Sequence, residues 1–152
     1  MSNFVHKLGF SGFYALTFGF VSAFVTFFMF RNSIGEGWDI LWVYTGSGAA
    51  ITAFIFSKYF IEKPKKFNDL RLIVIAFIVG ILSHWTSWYE ALVVQYIRWK
   101  FFDLSFLGTP ENPINGLYGA VEMTFISLLF FGWTAIPVSI GLIYFSKKLS
   151  KI

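Results

Sequence analysis

Leu72 to Arg98 reads LIVIAFIVGILSHWTSWYEALVVQYIR, a run long enough to cross a bilayer that nevertheless carries a histidine, a glutamate, a glutamine and two tryptophans. Projected at about 100° per residue, Ile78, Ile81, Leu82, Trp85, Tyr89, Leu92 and Tyr96 fall on one side. Ser83, His84, Thr86, Ser87, Glu90, Gln95 and Arg98 fall on the other. The first side suits lipid. The second calls for protein, water or a bound partner, because an ionisable group at the centre of a membrane helix costs roughly 2.5 to 3.5 kcal/mol on insertion scales.

The rest of the chain has the same character. Of its 152 residues 57% are hydrophobic and 13% charged, against roughly 25% charged in soluble domains, and the mean hydropathy is +0.67. That composition reads as a membrane protein. Twenty-one phenylalanines and six tryptophans supply apolar area and interfacial anchors. The absence of cysteine excludes disulfides, thiol redox chemistry and thiolate metal sites. The net charge of +4 sits in short clusters beside hydrophobic runs, the placement of orientation signals rather than of a nucleic-acid patch.

Working outward, four hydrophobic segments are expected to span the membrane, over about residues 9–30, 39–61, 72–97 and 117–145, in one domain covering 1–152. The first is read as a retained span, since its apolar run continues past Ala23 without a break. Ser11, Ala15, Gly19 and Ala23 recur every fourth residue in it. Gly46, Ala50, Ala53 and Ser57 form a similar stripe in the second, and two such stripes let helices pack closely. Pro64 ends the second segment within a lysine-rich turn. Gly108, Pro110, Asn112, Pro113 and Gly116 punctuate the longest connector, and Pro137 predicts a kink in the last span.

The expected fold is therefore an all-α integral membrane protein, an antiparallel four-transmembrane-helix bundle with N and C termini cytoplasmic. Lys7, Lys58, Lys63, Lys65, Lys66, Arg71, Lys147, Lys148 and Lys151 then lie inside, against Arg31, Arg98 and Lys100 outside. The expected location is a bacterial cytoplasmic (inner) membrane, with a phage- or plasmid-encoded origin compatible with so compact a chain.

Counting 1.5 Å per residue from Leu72 at the inner face, His84 lies about 18 Å up and Glu90 about 27 Å up, while Glu122, counted down from Leu117, lies about 22 Å up. A polar cluster of His84, Glu90, Glu122, Arg98 and Asp39 is expected in the outer half of the bundle. It would serve as a hydrogen-bonded tie between helices, as a proton or transport site, or as a recognition site. Trp99, Lys100, Phe101, Phe102 and Asp103 open an aromatic and charged outer segment suited to recognition at the membrane surface. No nucleophile elbow, phosphate loop or metal-ligand spacing occurs, so no enzyme activity, cofactor or metal is expected.

Two partial likenesses accompany this reading. Ala135-Ile136-Pro137, Gly141-Leu142-Ile143 and the lysine-rich tail resemble the last span of immunity proteins against pore-forming bacteriocins. The second segment running through Ser57-Lys58-Tyr59-Phe60 into a short basic loop resembles small four-span flippases of polysaccharide clusters. With no sizeable soluble domain, no catalytic motif and an aromatic outer loop at Trp99 to Gly116 beside the polar cluster, the chain is expected to be a small interaction protein that blocks or neutralises an incoming agent, of the superinfection/entry-exclusion or bacteriocin-immunity type, with a membrane protein, toxin or phage component as partner. A small transporter or flippase-like subunit using the outer-leaflet cluster of His84, Glu90 and Glu122, working as a homo-oligomer because four helices enclose little room, is the second expectation. An accessory subunit of a larger membrane complex is the third expectation. Neither likeness transfers the role of any individual residue.

Overall fold

The computed structural model describes residues 2–31, 40–65, 67–102 and 110–150, with side chains from Leu8 onward. Every regular element among the described residues is helical. They are α1 (Ser2–Phe30), α2 (Leu41–Ser57), α3 (Asp69–Phe102), α4 (Pro113–Ser127) and α5 (Trp133–Leu149). A π-helical turn, Lys58–Glu62, closes α2, and another, Leu128–Gly132, joins α4 to α5 in a continuous rod.

Leu8–Phe30, Asp69–Phe102 and Pro113–Leu149 are each long and apolar enough to cross a membrane. The 17-residue α2, which carries Thr45, Gly46, Ser47, Gly48 and Thr52, is too short to be counted among them. Those same small residues let it wedge between α1 and α3. A Cβ on Gly19 would stand 2.8 Å from the Ala50 Cβ and the Gly46 carbonyl oxygen, and a Cβ on Gly46 would stand 2.8 Å from the Ala23 Cβ. The two small-residue stripes therefore meet with no room for a further methyl group. The rings of Phe27 and Trp42, 6.1 Å apart and edge to face, extend the seam.

α3 is the central element and touches α2, α4 and α5. A Cβ on Gly48 would stand 2.7 Å from the Ser87 amide nitrogen, and one on Gly80 would stand 3.1 Å from the Ile136 Cα. α1 packs on α2 and α5 but does not reach α4 among the described residues. The main core lies in the half of the bundle nearer the chain termini, where Phe10, Tyr14, Phe18, Leu72, Ala76, Val79 and Ile143 are almost fully buried. A smaller cluster of Leu41, Tyr44 and Ala91 sits in the far half.

Two boundaries differ from the sequence expectation, each for a local reason. α4 begins at Pro113 rather than near Leu117, because the Asn112 side chain accepts hydrogen bonds at 3.0 Å from the Ile114 and Asn115 amides while the proline occupies the first turn. α3 runs on as helix to Phe102, so Trp99–Phe102 extends a rod instead of opening a connector. Ahead of Pro137 the chain widens into the Leu128–Gly132 turn. Its carbonyls at Phe130 and Phe131 accept from the Trp133 indole and the Thr134 hydroxyl, each at 2.7 Å, which keeps the loosened backbone satisfied where water is scarce.

Candidate functional site

Polar chemistry collects along the α2–α3 seam and in the far half of the bundle. Ser47 Oγ stands 2.9 Å from both carboxylate oxygens of Glu90 and 2.7 Å from the Val43 carbonyl, with one proton to share among them. A turn away, Thr52 donates to Thr86 at 2.8 Å and Thr86 donates to the Leu82 carbonyl at 3.0 Å. Gly48 makes these contacts possible by letting α2 approach the Ser87 backbone.

Because α1 reaches α5 but not α4, the far half is not fully closed. A cavity of about 160 Å³ occupies the gap. Its walls come from α1 (Phe18, Ser22, Val25, Thr26, Met29), α2 (Thr45, Ala49), α3 (Ser83, His84, Ser87, Trp88) and the α4–α5 rod (Ser127, Phe131, Thr134, Val138). The ring pair Phe30 and Phe131, 6.0 Å between centroids, roofs it. Below lies a three-helix tie in which Tyr14 of α1 donates to Ser139 of α5, which donates to the Ala76 carbonyl of α3 at 2.8 Å.

The residues singled out from sequence are distributed as follows. His84 is half-buried and lines the cavity. Glu90 faces α2, where Ser47 holds it. Glu122 is exposed on α4, and no hydrogen bond or ion pair joins His84, Glu90 and Glu122 among the described residues. Arg98 is partly buried near the end of α3. Asp39 and Asp103 lie outside the described residues. The Trp99 ring lies 6.0 Å from that of Tyr96, and the Lys100 ammonium sits 5.6 Å over the same Tyr96 ring. Phe101 and Phe102 are 71% and 67% exposed. No three metal-ligating side chains converge among the described residues.

One polar constellation escaped sequence reasoning. Gly9 takes φ 68° and ψ 175°, a break in α1 that frees the amides following it. The Glu62 carboxylate, at the end of α2, occupies that break: Oε2 accepts from the Ser11 amide at 3.0 Å, and Oε1 pairs with Lys58 at 3.1 Å. Burial opposes ionisation of Glu62. The hydrogen bonds from Ser11 and Lys58 and the lysine charge outweigh it, and the carboxyl is held below its ordinary value of 4.5. Nearby, Lys147 donates to the Phe67 carbonyl at 2.9 Å and to Asp69 at 3.0 Å, fastening the end of α5 to the start of α3.

No protein-family model, curated protein or solved structure matches the chain.

Proposed function

We propose that the chain is a small four-span protein of a bacterial inner membrane, packed antiparallel with both termini in the cytoplasm, that acts by binding on the outer side. In this reading it blocks or neutralises an incoming agent, in the manner of superinfection or entry exclusion or of bacteriocin immunity. Its partner is a membrane protein, toxin or phage component arriving from outside. The lysine bias toward the termini end supports the orientation. Contact pairs support the topology, since Gly19 meets Ala50 while Ala23 meets Gly46, and Gly80 meets Ile136 while Ser139 meets Ala76.

The observation that carries the choice of binding over conduction is the closed core of the inner half. Tyr14, Phe18, Leu72, Ala76, Val79 and Ile143 are packed there almost without exposure, which among the described residues supports a closed inner half. Recognition is assigned to the rigid end of α3. Counted from Leu72, Phe101 stands about 44 Å up, beyond the roughly 30 Å of hydrocarbon, where exposed aromatic rings beside Lys100 are available to a partner.

The test is expression of the intact chain in a sensitive bacterium challenged with several phages, a conjugative plasmid and membrane-active bacteriocins. Selective protection against one agent, abolished by Phe101→Ser with Phe102→Ser while membrane insertion is retained, is expected. Absence of protection against every agent would overturn the exclusion reading and return the choice to the transporter and subunit classes.

A further inference from the structure

The cavity in the far half combines an apolar, laterally open shape with several polar side chains in its lining. Counted along α3, His84 lies about 18 Å from Leu72, close to the middle of a roughly 30 Å hydrocarbon layer. Its ring nitrogens have no hydrogen-bond partner among the described residues. The hydroxyls of Thr45, Ser83, Ser87, Ser127 and Thr134 donate to carbonyls of their own helices. They therefore offer the cavity lone pairs, not protons. His84, Ser22 and Thr26 hold the donors left uncommitted among the described lining residues.

Three further features narrow the occupant. No Asp, Glu, Lys or Arg lines the cavity among the described residues, so an ionic ligand would meet no counter-charge at a depth where charge is costly. The volume of about 160 Å³ is close to that of the engineered apolar cavity of roughly 150 Å³ that admits one benzene ring. The opening is lateral: Val25 and Met29 on α1 and Val138 on α5 line the cavity and are also 44%, 51% and 36% exposed, so entry is from the bilayer. Phe18, Trp88 and Phe131 supply flat apolar walls.

We propose that this cavity binds an uncharged, lipid-soluble molecule whose single ring carries carbonyl or hydroxyl groups, of quinone or phenol chemistry. The ring lies against His84 and the apolar tail leaves between α1 and α5. A carbonyl accepts from the imidazole N–H or from Ser22 or Thr26, and a ring hydroxyl donates to the other imidazole nitrogen. Lipid-soluble rings of this class reach mid-membrane depth, which a charged headgroup does not.

The test uses the full chain in lipid nanodiscs with three probes of equal tail: a decyl-benzoquinone, a decylphenol and decylbenzene. Quenching of tryptophan fluorescence by the quinone is expected to saturate, because Trp88 lines the site, and decylphenol should compete while decylbenzene competes poorly. His84→Leu is expected to weaken quinone binding by about tenfold, the effect of one lost hydrogen bond in a dry site. Val25→Trp, at an exposed position on the opening, should obstruct entry without touching the polar groups, and it decides the question where His84→Leu folds poorly. Quenching that rises linearly and equally in the parent and both variants overturns the proposal. Equal competition by decylbenzene also overturns it, since the cavity would then accept hydrocarbon without the imidazole.

Discussion

The amide of Ser11 donates to the carboxylate of Glu62 at 3.0 Å, so the end of α2 caps the start of the regular part of α1. A carboxylate over freed helix amides is favoured by hydrogen bonding and by the helix dipole together. Lys58 holds the other oxygen at 3.1 Å. This contact gives the bundle a dependence on pH. A group with a lowered folded-state pKa stabilises fully above its unfolded value, and that contribution is lost as pH falls through the folded value. Denaturation in mixed micelles is therefore expected to show stability falling as pH drops below 4.5, with Glu62→Gln less stable at neutral pH by about 1 kcal/mol and flatter in that acid range. Parallel pH profiles for the two proteins would refute the assignment.

The break at Gly9 makes a separate prediction. A Cβ there would stand 2.9 Å from Glu62 Oε1 on a backbone with φ 68°. Gly9→Ala is expected to cost about 1 to 3 kcal/mol from this backbone conformation alone, which essentially only glycine adopts. Gly12 meets Leu8 Cβ at 3.4 Å, on regular helix. Gly12→Ala should be neutral or stabilising by up to about 1 kcal/mol. The difference in unfolding midpoint between the two variants checks both values at once.

The two glutamates of the far half should separate in the same assay. Ser47→Ala removes the hydroxyl that meets Glu90, and leaving a part-buried carboxyl without that partner is expected to cost about 1 to 3 kcal/mol. Glu122 is exposed on α4, and Glu122→Gln should stay within about 0.5 kcal/mol of the parent. A larger loss from Glu122→Gln would point to a contact made in the membrane by another copy or partner.

The contrast between these residues shows what the sequence could and could not convey. Three of the four expected spans were legible because hydropathy is local, and the polar side of α3 was legible because Ser83, Ser87 and His84 share its face; Ser83 and Ser87 are buried and His84 borders the cavity. The stripes at Gly19 and Gly46 announced their own contact by spacing. Glu122 was not legible, for two reasons. Ala120 and Thr124 turn inward, so the residue midway between them turns out. The rod also starts at Pro113 and continues to Leu149, so Glu122 stands about 37 Å from Lys147 and not at the level of His84. The Ser11–Glu62 contact spans 51 residues and depends on how α1 and α2 are brought together, which no local pattern records.

The last prediction concerns the tie beneath the cavity, where Tyr14 donates to Ser139 and Ser139 donates to the Ala76 carbonyl. Tyr14 and Ser139 are both fully buried, so the consequence of each deletion depends on what it leaves behind. Tyr14→Phe removes a donor and leaves Ser139 still bonded to Ala76, so a loss near the roughly 0.6 kcal/mol average for membrane hydrogen bonds is expected. Ser139→Ala strands the tyrosine hydroxyl and removes the second hydrogen bond of the Ala76 carbonyl, and should cost about 1 to 3 kcal/mol. Adding Tyr14→Phe to Ser139→Ala should then restore part of the loss, because the stranded hydroxyl is gone. A double variant less stable than Ser139→Ala by the full cost of Tyr14→Phe would show that the two hydroxyls act independently. Partial recovery would show that the hydroxyl chain works as one unit linking α1, α3 and α5.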